Sequence, residues 1–256
     1  AWRMALVRAN GIDLNCQQLG AGPLLVMCHG LVFGSIATWY FTAAARLATR
    51  FNVVLYDQRG HGKSELTDSG YDLDTLTADL QGVVEHFRQP ADGNKVVLVG
   101  HSYGALVALN YALRHPEQVA KLVLIDAPLP ASRYVYPSMS GVDSREALDR
   151  CFPEKIKQKM MQGSRSASRL QERMDFLFLQ STLRRDVAEA HDIEDDRLKR
   201  LAMPVLCLYG RDSDCVDAGE RLARVMPKAT LQLLDCGHFI PVEAPEEMTR
   251  CLDEFL

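Results

Sequence analysis

Apolar residues along this chain gather in short runs separated by longer amphipathic stretches. Leu24–Cys28, Val53–Tyr56, Val96–Val99, Leu122–Ile125, Val205–Tyr209 and Thr230–Leu234 have the look of strands buried on both faces. Between them, helical periodicity runs through Trp39–Thr49, Leu73–Arg88, Tyr103–Arg114, Gly219–Val225 and Glu246–Leu256. Two amphipathic strands come first, Met4–Arg8 and Ile12–Gln18, with Asn10-Gly11 between them as a hairpin turn. Strands alternating with helices predict an α/β fold, a mostly parallel eight-stranded sheet flanked by helices.

The alternation breaks once, from about Leu129 to Arg200. No buried-strand run occurs there, and the segment is charged and helix-prone at Arg145–Arg150, Glu154–Met161 and Ser168–Leu183. In the last of these, Leu170, Met174, Leu177 and Phe178 recur at i, i+4, i+7 and i+8, one apolar face of a helix. Residues 129–200 are therefore expected to form an inserted helical lid on a core domain made of residues 1–128 and 201–256. Packing on the sheet accounts most simply for the lid's apolar side chains, and lining a ligand pocket is the second role open to them.

Composition narrows the partners. With 47% hydrophobic and 24% charged residues, the chain has the balance of an ordinary globular protein. A formal net charge of −4 offers nothing to attract nucleic acid or an anionic membrane. No apolar run approaches the roughly 20 residues of a membrane span, and the first residues lack the order of a secretory signal. The seven cysteines are odd in number and show no paired spacing, which fits free thiols in a reducing compartment and a cytoplasmic location. Without a CxxC or HxxxH pair, no metal is expected. Gly62-Lys63-Ser64 is not a phosphate loop, since that motif needs glycine where Asp57 stands, so no nucleotide cofactor is expected either.

The candidate chemistry centres on Gly100-His101-Ser102-Tyr103-Gly104, between the Val96–Val99 run and a helix-forming segment. Gly-x-Ser-x-Gly at a strand-to-helix junction is the pattern of a nucleophile elbow, whose sharp turn needs small residues on both sides of the serine. Such a turn lifts the Ser102 hydroxyl above the sheet. It also sets the Tyr103 N–H at a helix start, where an anion is stabilised. The reaction class this names is acyl transfer through a serine.

Three further motifs stand in order around the elbow: His29-Gly30-Leu31, Asp57-Gln58-Arg59-Gly60-His61-Gly62-Lys63-Ser64, and Cys236-Gly237-His238-Phe239. With them the chain resembles the α/β-hydrolase superfamily from about Leu6 to Leu256. The resemblance implies that His238 is the general base for Ser102, and that the Leu31 and Tyr103 amides form the oxyanion hole, with Val32 a second choice for Leu31. It makes Asp57–Ser64 a tight turn beneath the site. The family's usual acid position after the seventh strand holds Ser213, flanked by Asp212 and Asp214. A minority of the superfamily carries serine there and takes its acid from the end of the sixth strand, where this chain has Asp126. The candidates for the third triad member are ordered Asp126, Asp214, Asp212.

The expected function is a serine hydrolase that cleaves a carboxylic ester or thioester of a small acyl-type substrate, free or bound to a carrier or coenzyme A. The alternatives are hydrolysis of a carbon–carbon bond in a diketone and, in another class, a non-catalytic small-molecule receptor on the same scaffold.

Overall fold

The computed structural model describes residues 1–152, 154, 157, 158 and 164–256. Eight strands form one sheet: β1 (Arg3–Ala9), β2 (Ile12–Leu19), β3 (Leu24–Cys28), β4 (Asn52–Tyr56), β5 (Val96–His101), β6 (Val119–Ile125), β7 (Val205–Gly210) and β8 (Ala229–Leu234). Their spatial order is β1-β2-β4-β3-β5-β6-β7-β8. The β1–β2 hairpin closes through Asn10 and Gly11, both at positive φ as such a tight turn requires. Strand β2 joins β4 antiparallel, and every pairing from β4 to β8 is parallel. The carboxyl ends of these strands therefore share one edge of the sheet, where loops from distant parts of the chain meet.

The continuous apolar runs are explained by cover on both faces. Leu24, Val26, Cys28 and Leu98 pack with the helices Leu73–Phe87 and Tyr103–Arg114 on one face. Leu25, Met27, Val97 and Val99 pack on the other with Trp39, Leu47, Met248 and Leu252. Successive residues point to opposite layers, so no position of β3, β4, β5 or β7 is left to water.

Two helices differ from the expectation. Trp39–Thr49 is not one helix but two short ones, Ala37–Tyr40 and Ala44–Leu47. The Thr42 hydroxyl donates to the Thr38 and Trp39 carbonyls, competing with the backbone ladder where a continuous helix would run. The stretch expected at Ser168–Leu183 is helical over Ser164–Leu179 and starts again at Leu183–Ala188. Between the two, the Ser181 side chain donates to the Leu177 carbonyl and accepts from the Leu183 N–H. The expected helix Glu154–Met161 lies largely outside the described residues. Between β6 and β7 the described residues form no strand, and short helices there include Ala131–Tyr134, Arg145–Arg150 and Asp195–Leu198.

One buried ion pair ties the sheet's helical layer to the hairpin. Arg59 Nε and Nη2 donate to the two Asp79 carboxylate oxygens at 2.7 and 2.8 Å, and Asn10 Nδ2 donates to Asp79 Oδ1 at 2.9 Å. Both charged side chains are less than a tenth exposed. Asp79→Ala leaves Arg59 buried without its counter-charge and should destabilise the fold by about 3–5 kcal/mol in urea unfolding. A loss under 1 kcal/mol, roughly the value of an exposed pair, would contradict that reading.

Candidate active site

At the end of β5 the backbone turns so sharply that Ser102 sits at φ 55°, in the left-handed region. The turn is possible because its flanks carry no side chain. A Cβ at Gly104 would strike the Cys28 and His29 carbonyl oxygens, and one at Gly100 would strike the Gly104 carbonyl oxygen. The Ser102 N–H is held by the Ile125 carbonyl at 2.9 Å, which leaves its hydroxyl over the carboxyl edge.

His238 arrives on the loop after β8. Its carbonyl accepts from His101 Nε2 at 2.9 Å, and Glu243 accepts the neighbouring N–H groups of Gly237 and Phe239 at 3.4 and 3.1 Å. So held, the imidazole reaches in two directions. Ser102 Oγ donates to His238 Nε2 at 2.8 Å, and His238 Nδ1 donates to Asp126 Oδ2 at 2.5 Å. A carboxylate only accepts, so Asp126 fixes the ring proton on Nδ1 and leaves Nε2 as the acceptor facing the serine.

Asp126 follows β6 with a positive φ of 48° and no solvent exposure. Its charge is met on every side: Oδ1 accepts the Gly210 N–H at 2.8 Å, and Oδ2 accepts the Ser213 hydroxyl at 2.6 Å as well as His238. Ser213 thus stands where the sequence resemblance expects an acid and instead donates to the acid from the neighbouring strand. Asp212 and Asp214 are exposed and make no hydrogen bond to His238 among the described residues. Cys215 is buried beside this group, its Sγ 3.9 Å from His238 Nδ1. Burial, and then the charge of Asp126, push that thiol up to about 12, so it stands there neutral.

The loop after β3 faces the serine from the other side. Gly30 comes so close to the elbow that a Cβ there would touch Ser102 Cβ at 3.2 Å. Val32 sits at φ 71° and gives its N–H to His61 Nε2 at 2.7 Å. The Leu31 and Tyr103 N–H groups have no hydrogen-bond partner among the described residues. Asp57 binds this loop to the turn below, accepting from Ile36 N–H, Lys63 N–H and Asn15 Nδ2 at 2.8–2.9 Å.

Three other histidines serve as struts. His29 Nδ1 donates to the Gly30 carbonyl and its Nε2 accepts the Gln58 N–H, while His61 Nδ1 donates to the Arg59 carbonyl. In His29 and His61 the bond pattern needs a neutral ring, because Nε2 accepts a backbone N–H. Burial is the main cause that holds His29 and His101 down at about 4 and His61 at about 3. Around these candidate groups the wall is aromatic. Phe239 meets His238, Phe33 meets Phe239 and Phe152, and Phe152 meets Phe178 of the helix Ser164–Leu179, all edge to face. His101, Glu243 and Ser213 thus support the candidate groups. His101 belongs to a motif that the sequence singles out and Ser213 stands at the position noted for the family's usual acid, whereas Glu243 acts from a position that only loop folding defines.

Comparison with known proteins agrees with this architecture. A family model described as the alpha/beta hydrolase family matches residues 25–250. The 2-(acetamidomethylene)succinate hydrolase of Mesorhizobium japonicum is 36% identical over 115 residues, covering 45% of this chain and 39% of its own length. The 2-hydroxy-6-oxo-2,4-heptadienoate hydrolase of Pseudomonas putida is 24% identical over 98% of this chain and 95% of its own. Among solved structures, the esterase RhEst1 from Rhodococcus superposes with a TM-score of 0.74 at 26% identity, over 99% of this chain and 98% of that one. The chain spans less than two thirds of the length of the first curated relatives it matches.

The struts predict an acid sensitivity. Each of the three buried histidines titrates near 3 or 4 when folded, against an ordinary 6.5. Between those limits the unfolded chain binds protons that the folded chain does not. Their contribution to stability is complete above about pH 6.5 and is lost progressively as pH falls toward 4. The thermal unfolding midpoint should be lower at pH 5 than at pH 7. A midpoint that is unchanged or higher at pH 5 contradicts neutral struts.

Proposed function

The chain belongs to the alpha/beta hydrolase family, and we propose that within it this protein is a serine hydrolase acting on a carboxylic ester or thioester. The observation that carries the proposal is the relay of Ser102 Oγ to His238 Nε2 at 2.8 Å and His238 Nδ1 to Asp126 Oδ2 at 2.5 Å. A serine hydroxyl is a weak nucleophile until a base takes its proton, and a neutral Nε2 at hydrogen-bond distance is that base. As Ser102 attacks the substrate carbonyl, its proton passes to His238, and the resulting imidazolium is stabilised by Asp126. The protonated ring then gives this proton to the leaving alkoxide or thiolate. Water, activated by the same Nε2, releases the acid from the acyl-enzyme.

The tetrahedral oxyanion is assigned to the unpartnered N–H groups of Leu31 and Tyr103, each worth roughly 2.7–4 kcal/mol in the transition state. Val32 is not offered as a donor, because its N–H already bonds His61. For the acid, burial and two fixed donors favour Asp126 over the exposed Asp212 and Asp214. We assign residues 129–200 the part of a lid. Its Phe152 and Phe178 extend the aromatic wall that starts at His238, a lining suited to an apolar or aromatic acyl group. Carbon–carbon hydrolysis of a diketone is the second reading, supported by the likeness to the heptadienoate hydrolase.

Three measurements test this. A fluorophosphonate probe should label the wild-type protein and not Ser102→Ala; labelling that survives the substitution excludes Ser102 as the nucleophile. Asp126→Asn should lower the turnover number by roughly four orders of magnitude, as loss of a triad carboxylate does, while Asp212→Asn and Asp214→Asn stay within about threefold of the wild type, as exposed side chains should. The reverse ranking would move the acid to the β7 loop. Short-chain p-nitrophenyl esters, acyl-coenzyme A thioesters and a vinylogous diketone should be compared by kcat/KM, and the diketone ranking first would overturn the ester reading.

A further inference from the structure

Three side chains of different chemistry converge on the far side of the His238 ring from Ser102. Asp126, Cys215 and His238 each present a donor atom within 4.8 Å of the other two. His238 Nδ1 lies 2.5 Å from Asp126 Oδ2 and 3.9 Å from Cys215 Sγ, and the Ser213 hydroxyl is 2.6 Å from the same carboxylate oxygen. Imidazole, carboxylate and thiol are the ligand types of a tetrahedral zinc site, with metal–ligand distances of about 2.0–2.3 Å. Those distances set the donors about 3.3–3.8 Å apart. The sulfur is already near that spacing. The carboxylate oxygen must back away from Nδ1 by about 1 Å, while Oδ1 stays anchored on the Gly210 N–H.

We propose that Asp126, Cys215 and His238 form an inhibitory site for a soft divalent cation, zinc or cadmium. The choice of metal follows from the donors. A neutral buried thiol gives up its proton to a thiophilic ion and not to magnesium or calcium, which take oxygen ligands. The balance is complete within the site. Cys215 loses one proton to solvent, and its thiolate with the Asp126 carboxylate neutralises the two positive charges of the ion. The His238 proton moves from Nδ1 to Nε2, so that Nδ1 offers its lone pair to the metal.

That shift decides the effect. With its proton on Nε2, the ring donates toward Ser102 instead of accepting from it, and the serine has no base. The metal thus blocks turnover from behind the ring without touching the substrate face. This effect on rate rests on the proposed hydrolase function, whereas binding of the metal does not.

The test therefore reads binding and rate separately. Cobalt(II), the spectroscopic substitute for zinc, should give a sulfur-to-metal charge-transfer band that saturates at one metal per chain in the wild type. The band should persist in Ser102→Ala and in Cys151→Ala, which removes the one thiol among the described residues that is not buried, and vanish in Cys215→Ala and Cys215→Ser. In p-nitrophenyl ester hydrolysis, micromolar zinc should lower the wild-type rate at least about tenfold, with recovery on adding EDTA. Cys215→Ala, scored against its own metal-free rate, should need at least about tenfold more zinc for the same loss. No band in the wild type, a band that survives both Cys215 substitutions, or equal zinc sensitivity of Cys215→Ala would overturn the site. A band in Ser102→Ala stands whether or not the hydrolase reading does, so the two can fail independently.

Discussion

The carboxylate of Asp126 is the constraint on which the arrangement turns. A charge with no solvent exposure is tolerated only when its oxygens are satisfied, and here the donors come from three places: the end of β7, the following loop and the loop after β8. Each donor draws its own segment toward the end of β6. The imidazole that results has one tautomer, one orientation and one free acceptor nitrogen, all set by the side chain behind it. Position and electronic state are thus settled by the same bond.

The surroundings hold this bond in place with neutral groups. His29, His61 and His101 each use ring nitrogens to tie one loop to another, and desolvation keeps them uncharged. Charged struts would add repulsion beside the imidazolium that the proposed reaction creates. A buried neutral imidazole offers both a donor and an acceptor without that cost, which suits histidine to the sheet's carboxyl edge.

Much of the fold was legible from the chain because each central strand is covered on both faces and therefore apolar throughout. The alternation of such strands with helical stretches leaves few topologies open. The break near Thr42 was not legible, since it depends on a hydroxyl competing for carbonyls that a continuous helix would use. For the site, the elbow is a local pattern and stands out in five residues. The acid is not. Asp126, Asp212 and Asp214 are chemically alike, and what separates them is burial and the β6–β7 register that brings Gly210 and Ser213 to one carboxylate. Cys215 is a further case. It lies 23 residues from His238, a spacing unlike any metal motif, yet closure of the sheet's edge sets the two side by side.

The elbow carries a consequence for how this scaffold can change. The left-handed turn at Ser102 is imposed by what its neighbours lack: side chains at Gly100 and Gly104 would collide with the β3 loop and with the elbow's own backbone. Nothing in that geometry depends on the hydroxyl at position 102. The flanking glycines make the turn possible, so the residue at position 102 is free to vary in chemistry while its location stays fixed. Architecture and reactivity are encoded at different positions, and a lineage built on this turn can exchange one without redesigning the other.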